Sequence, residues 1–399
     1  MTQQFDFIIV GAGIIGLTLA RELALKKAGR IAVIEKEAAV GQHASGRNSG
    51  VAHAGIYYPP ASLKSKLCLE GHSLLLEYVD SHQLPVLKCG KVIVASTPDR
   101  VETLAMLLDR ATQVGATVQK VSLEELRELE PLAHSHEFAL WSPKTAVIDS
   151  KAVLNQLTRE LAELGVKLIY GEEVLEINPQ ARLLETQQGT RVGYGFLYNT
   201  AGVFADRIAH WFDVGRKYRI MPFKGLYWKS SEEFEKKVQR LIYPAPDVRM
   251  PFLGVHITRT VDGHVLFGPT AIPAFGRENY SLTEGLDLEE TPAIGWHLLR
   301  MLAANKQGFR HYVSEEMSRY VPKNFFLEAQ SLAPSLKRED IGEFYKVGIR
   351  AQLMDLEKNQ LEMDFVVEKG EHSLHVLNAI SPAFTSSFAM AKYLAEQKF

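Results

Sequence analysis

The sequence predicts an α/β protein, α+β overall, with one lobe of parallel strands and helices and a second lobe built on a mostly antiparallel β-sheet. Three observations lead to this prediction. A strand, a glycine-rich turn and a helix follow one another in residues 5–25. Helix and strand patterns alternate again in residues 150–177. Residues 219–264 instead alternate aromatic and β-branched residues with prolines, which favours antiparallel strands.

The length of the chain indicates more than one core. It has 399 residues, and a single hydrophobic core stops growing at about 250–300 residues. We predict that the first lobe is discontinuous and is assembled from residues 1–85, 145–218 and 330–399. The second lobe is inserted between these pieces as residues 86–144 and 219–329.

The amino-terminal turn has the features of a dinucleotide-binding motif. A β-branched strand at residues 5–10 leads directly into Gly11-Ala12-Gly13-Ile14-Ile15-Gly16 and then into a helix. Gly11 allows the tight turn, Gly13 lets a pyrophosphate approach the backbone, and Gly16 lets the helix pack closely on the strand. The free N–H groups at the start of the helix then bind the phosphates.

An acidic residue completes this motif. The second strand, residues 31–34, ends at Glu35, about 20 residues after the glycines, where a carboxylate accepts the ribose hydroxyls. The pattern therefore predicts a Rossmann-like lobe that binds a dinucleotide. It leaves the choice between FAD and NAD open.

The residues after Glu35 carry a family resemblance. Residues 41–50 read GQHASGRNSG and residues 51–58 read VAHAGIYY, and this run resembles the D-amino acid oxidase superfamily of flavoproteins. More narrowly, residues 48–68 resemble its L-2-hydroxyglutarate dehydrogenase/oxidase branch.

Three later stretches resemble the same branch in the same order, namely residues 251–269, 348–352 and 378–387. Little aligns between the motifs, as in residues 216–237 and 272–305, so the resemblance defines the fold better than the substrate.

The resemblance implies FAD as the cofactor and an FAD-binding domain of the glutathione reductase/D-amino acid oxidase type, with the inserted sheet as the substrate domain. The adenine end of FAD would lie at the glycine turn, and the loop after Glu35 would pass under the flavin. Without the resemblance, this polar loop would be read as solvent-exposed. The predicted cofactor contacts are Gly11, Gly13, Ile14, Ile15, Gly16, Glu35, Lys36, Ser45, Arg47, Asn48, Ser49, Gly50, Val174, Ala201, Gly202, Gly348, Arg350, Pro382, Ala383, Phe384 and Thr385.

The implied activity is FAD-dependent oxidation of L-2-hydroxyglutarate to 2-oxoglutarate. This chemistry needs a base for the hydroxyl proton, and histidine suits that role because its ordinary pKa lies near neutrality. His256, in a strand-like stretch of the second lobe, is the first candidate. His53, in the loop expected beneath the flavin, is the second and could instead tune the ring by hydrogen bonding.

Cations are needed to hold the two carboxylates of such a substrate. Arg350 is the best candidate because a planar guanidinium binds a carboxylate through two parallel hydrogen bonds. Lys224 and Tyr57 are the candidates for the second carboxylate. Pro382 lies near the start of the last helix, whose positive end would face the flavin in this family and stabilise its reduced form.

The composition of the chain limits the partners and compartments that we expect for the protein. A formal charge of -2, from 45 basic and 47 acidic residues, gives no general field that attracts nucleic acid. Cys68 and Cys89 fit neither a C-x-x-C pair nor a zinc cluster, so we expect no metal and a reducing compartment. The start of the chain shows no export signal and no apolar run is long enough to span a bilayer. We expect a cytoplasmic protein, with peripheral contact at the inner face of the membrane left open.

Several alternatives stay open on the sequence alone. The same fold could oxidise another 2-hydroxy acid, an α-amino acid or glycerol 3-phosphate, or could bind a flavin without turning over a substrate. The electron acceptor, whether oxygen, a quinone or a carrier protein, is also open. So are covalent attachment of FAD and the oligomeric state.

Overall fold

The structure is a computed structural model that describes residues 3–249, 251–281 and 283–397. Its strands are β1 (Gln3–Val10), β2 (Ile31–Ile34), β3 (Val51–Ala52), β4 (Val86–Leu87), β5 (Lys91–Val94), β6 (Gln119–Val121), β7 (Ala139–Ser142), β8 (Ala146–Ile148), β9 (Lys167–Ile169), β10 (Val174–Asn178), β11 (Leu183–Thr186), β12 (Arg191–Asn199), β13 (Tyr218–Ser230), β14 (Leu241–Pro244), β15 (His256–Arg259), β16 (Val265–Gly268), β17 (Ile272–Pro273), β18 (Ile341–Asp355), β19 (Gln360–Leu361), β20 (Val366–Gly370) and β21 (Ser373–Asn378).

The helices are α1 (Ile14–Leu25), α2 (Leu63–Ser81), α3 (Val101–Val114), α4 (Leu123–Leu129), α5 (Ser150–Glu163), α6 (Ala205–Trp211), α7 (Glu232–Glu235), α8 (Glu290–Ala304), α9 (Phe309–Ser318), α10 (Pro322–Leu332) and α11 (Ala383–Glu396). Among the described residues, no helix combines the length and the apolar character needed to cross a membrane.

The first sheet has the order β10-β11-β12-β1-β2-β9, with β21 beside β12 and β20 beside β21. Phe7 and Ile9 of β1 pack into the core shared with α1, α2, α5 and α11. Ile8 and Val10 point to the opposite face, where they meet Ile208 of α6. Because both faces are covered, the buried part of β1, residues 7–10, consists of consecutive apolar residues, as buried parallel strands do.

The second sheet has the order β19-β18-β13-β16-β15-β14-β5-β7-β6, with β17 beside β13. Its strand pairs are antiparallel except for β14 with β5, which confirms the predicted mostly antiparallel sheet. In the long β13–β18 pair, Phe223 lies opposite Arg350 and Lys224 lies opposite Ile349. Helix α10 packs under one part of this sheet and helices α8 and α9 under another.

One part of the predicted division into lobes needs correction. The sequence assigns residues 330–399 to the first lobe, but β18 and β19 lie in the second sheet. The reason is that β18 pairs with β13 over most of its length. The later elements β20, β21 and α11 do belong with the first sheet and its helices. The other boundaries stay predictions.

Helices α2 and α11 cross at backbone contact. A Cβ atom on Gly71 of α2 would lie 2.6 Å from both the Cα of Ser386 and the carbonyl oxygen of Thr385. Real Cβ atoms do not approach this closely, so only glycine allows the crossing. Because the contact involves Thr385 and Ser386, the crossing fixes the position of the first turn of α11.

We expect Gly71→Ala to lower the free energy of unfolding by about 1–3 kcal/mol, because the new methyl group forces two packed helices apart. Gly295→Ala is the matched control. Gly295 also lies within a helix, but a Cβ there meets no atom within 4 Å, so the substitution should stabilise by about 0.5–1 kcal/mol. Denaturant unfolding of both FAD-loaded variants measures the difference. Equal effects of the two substitutions would contradict the close crossing.

Candidate active site

A cavity of about 530 Å³ lies between the two sheets. Its lining includes both candidate bases, His53 and His256, and the predicted cofactor contacts Gly11, Gly13, Ile14, Ile15, Glu35, Lys36, Ser45, Arg47, Asn48, Ser49, Gly50, Val174, Ala201, Gly202, Gly348, Arg350, Pro382, Ala383, Phe384 and Thr385. Gly16 is absent from the lining, in keeping with its predicted packing role. The structure thus brings together residues that are far apart in the chain.

The glycine turn forms one end of this cavity. Gly11 has a φ of +99°, and a Cβ there would lie 2.7 Å from the carbonyl oxygen of Thr200. A Cβ on Gly16 would lie 2.0 Å from the carbonyl oxygen of Gly11. Gly13 is the N-cap of α1 and makes no side-chain cap hydrogen bond. Gly13 therefore gives α1 no side-chain cap of its own, and the start of the helix faces the cavity, as an anion site requires.

Glu35 is oriented by two backbone donors. Its carboxylate accepts hydrogen bonds from the N–H of Ala12 at 2.8 Å and from the N–H of Glu37 at 3.0 Å. Each carboxylate oxygen has a second lone pair. The side chain is thus held in the cavity lining with acceptor capacity left for ribose hydroxyls.

The loop after Glu35 is held rigidly by its own side chains. Ser45 accepts a hydrogen bond from the N–H of Ile14 at 3.0 Å. The amide of Asn48 donates to the carbonyl of Ser45 at 2.7 Å and accepts from the N–H of Gly50 at 2.8 Å. Lys346 donates to the carbonyl of Asn48 at 2.7 Å. Such a preformed loop can present backbone atoms to a flat ring.

Glycines also keep this loop close to its neighbours. Gly50 has a φ of +74°, and a Cβ there would lie 2.5 Å from the carbonyl oxygen of Ile148. A Cβ on Gly348 would lie 2.8 Å from the carbonyl oxygen of Arg47. A side chain at Gly50 would collide with β8, and one at Gly348 of β18 would collide with the loop. Together with the start of α1 and Glu35, this cradle fits an extended FAD.

A segment of the inserted lobe, residues 275–281, reaches the same end of the cavity, and we call it the bridging segment. Glu278 lies 2.6 Å from the ammonium of Lys36. The hydroxyl of Tyr280 lies 2.7 Å from Nδ1 of His43, and its ring lies 4.3 Å from the guanidinium of Arg47. Sequence reasoning missed this segment because it falls in a stretch where little aligns.

Three of these neighbouring groups have the composition of a metal site. Glu37, His43 and Glu278 bring ligand atoms within 4.8 Å of one another. Lys36, however, lies 2.5 Å from Glu37 and 2.6 Å from Glu278. Because the ammonium already supplies a positive charge between the two carboxylates, the cluster is an ion-pair network that ties the lobes together.

His256 is the first residue of β15 and is buried. Its Nδ1 lies 2.8 Å from the carbonyl oxygen of Gly254. Because a carbonyl only accepts, Nδ1 carries the proton and Nε2 is left proton-free. Burial lowers the pKa of His256 to about 3, although the bond to Gly254 acts in the opposite direction. The imidazole is therefore neutral with a free acceptor, as a general base must be.

His53 is also buried, but it is held through its backbone. Its N–H donates to Oγ1 of Thr385 at 3.1 Å, and this hydroxyl donates in turn to the carbonyl of Val51 at 3.3 Å. Nδ1 of His53 has no hydrogen-bond partner in the described part of the chain. Burial, followed by the charge of Lys91, lowers the pKa of His53 well below its ordinary value. Both predicted histidines thus line the cavity in neutral form.

Arg350 lies in β18 and contributes to the same lining. Its guanidinium carbon lies 5.5 Å from the centre of the Phe252 ring. Within the residues that the structure describes, its buried Nη1 has no hydrogen-bond partner. An unsatisfied buried donor of a charged group is costly, so this nitrogen points to an anionic ligand.

The other two predicted substrate ligands lie elsewhere. Lys224 donates to Oδ1 of Asn279 at 2.8 Å and to the carbonyl of Ser281 at 2.9 Å, and it is not part of the cavity lining. Because Lys224 pairs with the neighbour of Arg350, it leaves the sheet on the opposite face. Tyr57 is buried beside Lys91 and is also outside the lining. The structure thus places both residues outside the lining of the cavity, and their roles in substrate binding stay predictions.

Comparison with known proteins agrees with this geometry. The sequence matches the DAO family, described as FAD dependent oxidoreductases, over residues 6–397. It is 34% identical to the L-2-hydroxyglutarate dehydrogenase of Indibacter alkaliphilus over 405 residues, covering 99% of this chain and 98% of that protein. It is 31% identical to the L-2-hydroxyglutarate dehydrogenase of Escherichia coli over 397 residues, covering 99% and 93%.

Among solved structures, the L-alpha-glycerophosphate oxidase of Mycoplasma pneumoniae with FAD bound is similar, with a TM-score of 0.77 at 22% identity over 99% of this chain and 94% of that one. At this identity the likeness concerns the fold alone. The predicted fold class and the predicted cofactor, FAD, are confirmed. The chain belongs to the FAD-dependent oxidoreductases of the DAO family, and within them to the branch that contains the L-2-hydroxyglutarate dehydrogenases.

Proposed function

We propose that this chain oxidises L-2-hydroxyglutarate to 2-oxoglutarate. The observation that carries the proposal is the unpartnered Nη1 of Arg350 in the cavity that also contains His256. A substrate carboxylate would supply the missing acceptors through two parallel hydrogen bonds. The names of the relatives support this particular 2-hydroxy acid.

The two residues divide the work on the substrate. Arg350 binds the carboxylate next to C2 and thereby fixes the orientation of the hydroxyl group. Nε2 of His256 then accepts the hydroxyl proton, because Nδ1 is already bound to Gly254. FAD, when bound, supplies the acceptor for the hydride that leaves C2.

Apolar neighbours strengthen these polar interactions. Phe252 and Leu253 line the cavity together with Arg350 and His256. Side chains of this kind exclude water, and charges attract each other more strongly where water is excluded. The same exclusion keeps the imidazole of His256 in its neutral form.

The residues that would hold FAD lie at the other end of the cavity. The start of α1 would bind the pyrophosphate, and Glu35 would accept the ribose hydroxyls. The backbone between Asn48 and Gly50 would lie next to the ring system. The start of α11, which also lines the cavity, would place its positive end near the ring.

The direct test is reduction of the flavin without air. We expect L-2-hydroxyglutarate to bleach the yellow colour of the FAD-loaded protein faster than D-2-hydroxyglutarate, L-lactate, L-glutamate or glycerol 3-phosphate. Stopped-flow absorbance gives the rates. Faster reduction by an amino acid or by glycerol 3-phosphate would identify that compound class, and not L-2-hydroxyglutarate, as the substrate. The absence of reduction by every compound would favour a flavin-binding protein without turnover.

Arg350→Met should weaken binding of L-2-hydroxyglutarate roughly 10- to 100-fold, because the carboxylate loses two charge-assisted hydrogen bonds. Arg350→Lys keeps the charge but not the paired geometry, so its effect should be intermediate. The dependence of the reduction rate on substrate concentration measures both. Arg216→Met, at an exposed residue paired with Asp213, is the control and should change neither rate nor affinity. Unchanged affinity in Arg350→Met would contradict the assignment.

His256→Ala should slow flavin reduction by about 10²- to 10⁴-fold, because no other group takes the hydroxyl proton as directly. The FAD content should be unchanged, since His256 does not belong to the glycine turn or to the loop after Glu35. His53→Ala, measured beside it, shows whether the second histidine contributes. A larger loss in His53→Ala than in His256→Ala would transfer the role of base to His53.

A further inference from the structure

Lys91, the first residue of β5, is a fully buried lysine. Its Nζ lies 4.5 Å from the centre of the Tyr57 ring and 4.9 Å from that of the Tyr243 ring. No hydrogen-bond acceptor for this nitrogen is found in the residues that the structure describes. The two aromatic faces thus provide the stabilising contacts that are visible for this cation.

A buried lysine without a counter-ion destabilises the folded protein. An unpaired buried ammonium loses its hydration without gaining a counter-ion, and a methionine of similar length would fill the same space without this cost. Burial accordingly lowers the pKa of Lys91 to about 7, against a smaller opposing effect of Cys68. The lysine therefore changes its charge near neutral pH.

The ring of Tyr243 relates Lys91 to the cavity. Tyr243 lines the cavity, and its ring lies 3.9 Å from the imidazole of His256. Burial is the largest cause of the low pKa of His256, and the hydrogen bond to Gly254 opposes it. The positive charges of Arg350 and then Lys91 lower this pKa further. Lys91 and the candidate base thus both lie against the ring of Tyr243.

Several other titratable groups surround Lys91, and their pKa values are shifted as well. His53 and His72 also have pKa values lowered by burial first and in part by Lys91. Cys68, buried and in its thiol form, has its pKa raised by burial to about 12. Burial likewise raises the pKa of Tyr57 and Tyr243. Among these neighbours, Lys91 is the group whose charge changes near neutral pH.

We propose that Lys91 is a positioning residue for the oxidation, and that its protonation state sets the basicity of His256, which lies against the same Tyr243 ring. This inference rests on the proposed function of His256. With its proton, Lys91 repels the imidazolium that forms when His256 accepts the substrate proton, so the base is weaker. Without it, the repulsion disappears and proton acceptance is faster.

The test is the pH dependence of flavin reduction by saturating L-2-hydroxyglutarate. In the wild-type protein the rate should rise about three- to tenfold between about pH 6 and pH 9, as Lys91 loses its proton. Lys91→Met should show no such rise and should stay near the high-pH rate of the wild type. Lys91→Arg, which keeps its charge throughout, should stay near the low-pH rate.

Lys88→Met is the matched control, because Lys88 is an exposed lysine three residues away that pairs with Asp80. It should keep the profile of the wild type. A purely structural role for Lys91 would lower the rate in both variants and leave the pH dependence in place. That result would overturn the inference. If the longer arginine prevents folding, the profile of Lys91→Met decides alone.

The pH dependence of stability gives a second, independent test of the charge on Lys91. Between about pH 7 and the ordinary pKa of 10.5, the unfolded chain holds a proton on Lys91 that the folded chain has lost. Stability of the wild type therefore rises with pH across this window, and the cost of burying Lys91 is greatest below it. The gain in thermal stability of Lys91→Met over the wild type should shrink from about pH 6 to pH 9.

The two arms separate this inference from the proposed function. If L-2-hydroxyglutarate fails to reduce the flavin of the wild type, the proposed function fails. The stability arm then still tests Lys91, and a gain that does not vary with pH overturns the inference. If the wild type is reduced but Lys91→Met retains the full pH dependence, the inference fails and the proposed function stands.

Discussion

The first turn of α1 packs closely on the residues that follow β1 and β12, and this packing determines the geometry of the end of the cavity where the nucleotide would bind. Gly16 lies so close to the carbonyl of Gly11 that a Cβ would meet it at 2.0 Å. The hydroxyl of Thr200 bonds the carbonyls of Val10 and Gly11 at 2.9 and 3.1 Å, which fixes this contact. The start of α1, which lines the cavity, is held in place by this contact. The same means, contact between backbones at glycine, brings the loop after Glu35 against β18 at Gly348.

Burial then determines the chemistry of the other end. His53 and His256 are enclosed between the lobes and lose their affinity for protons. Arg350 keeps a guanidinium nitrogen without a partner, so the enclosed space favours an anion. A neutral acceptor and a permanent cation in one water-poor cavity are what removal of a proton from a carboxylate-bearing alcohol needs.

The sequence predicts the fold class and the cofactor, FAD, because both depend on local pattern. The strand, turn and helix of residues 5–25 are complete within one short stretch, and the family motifs mark the remaining contacts. The sequence does not show which face of the sheet Lys224 occupies, because that face depends on the register of β13 with β18. The bridging segment depends on contacts such as that of Tyr280 with His43, 237 residues apart. Lys91 gave one local signal, a charged residue in an otherwise apolar strand.

The bridging segment also bears on how the cofactor enters and leaves. Its contacts with Lys36, His43 and Arg47 join the inserted lobe to the groove where the nucleotide end of FAD would lie. A bound FAD would therefore lie beside contacts made by both lobes, and separating the lobes at this groove would break an ion pair, a hydrogen bond and a ring contact together. Retention of the flavin on dilution would then depend on these contacts between the lobes as well as on the contacts of FAD itself.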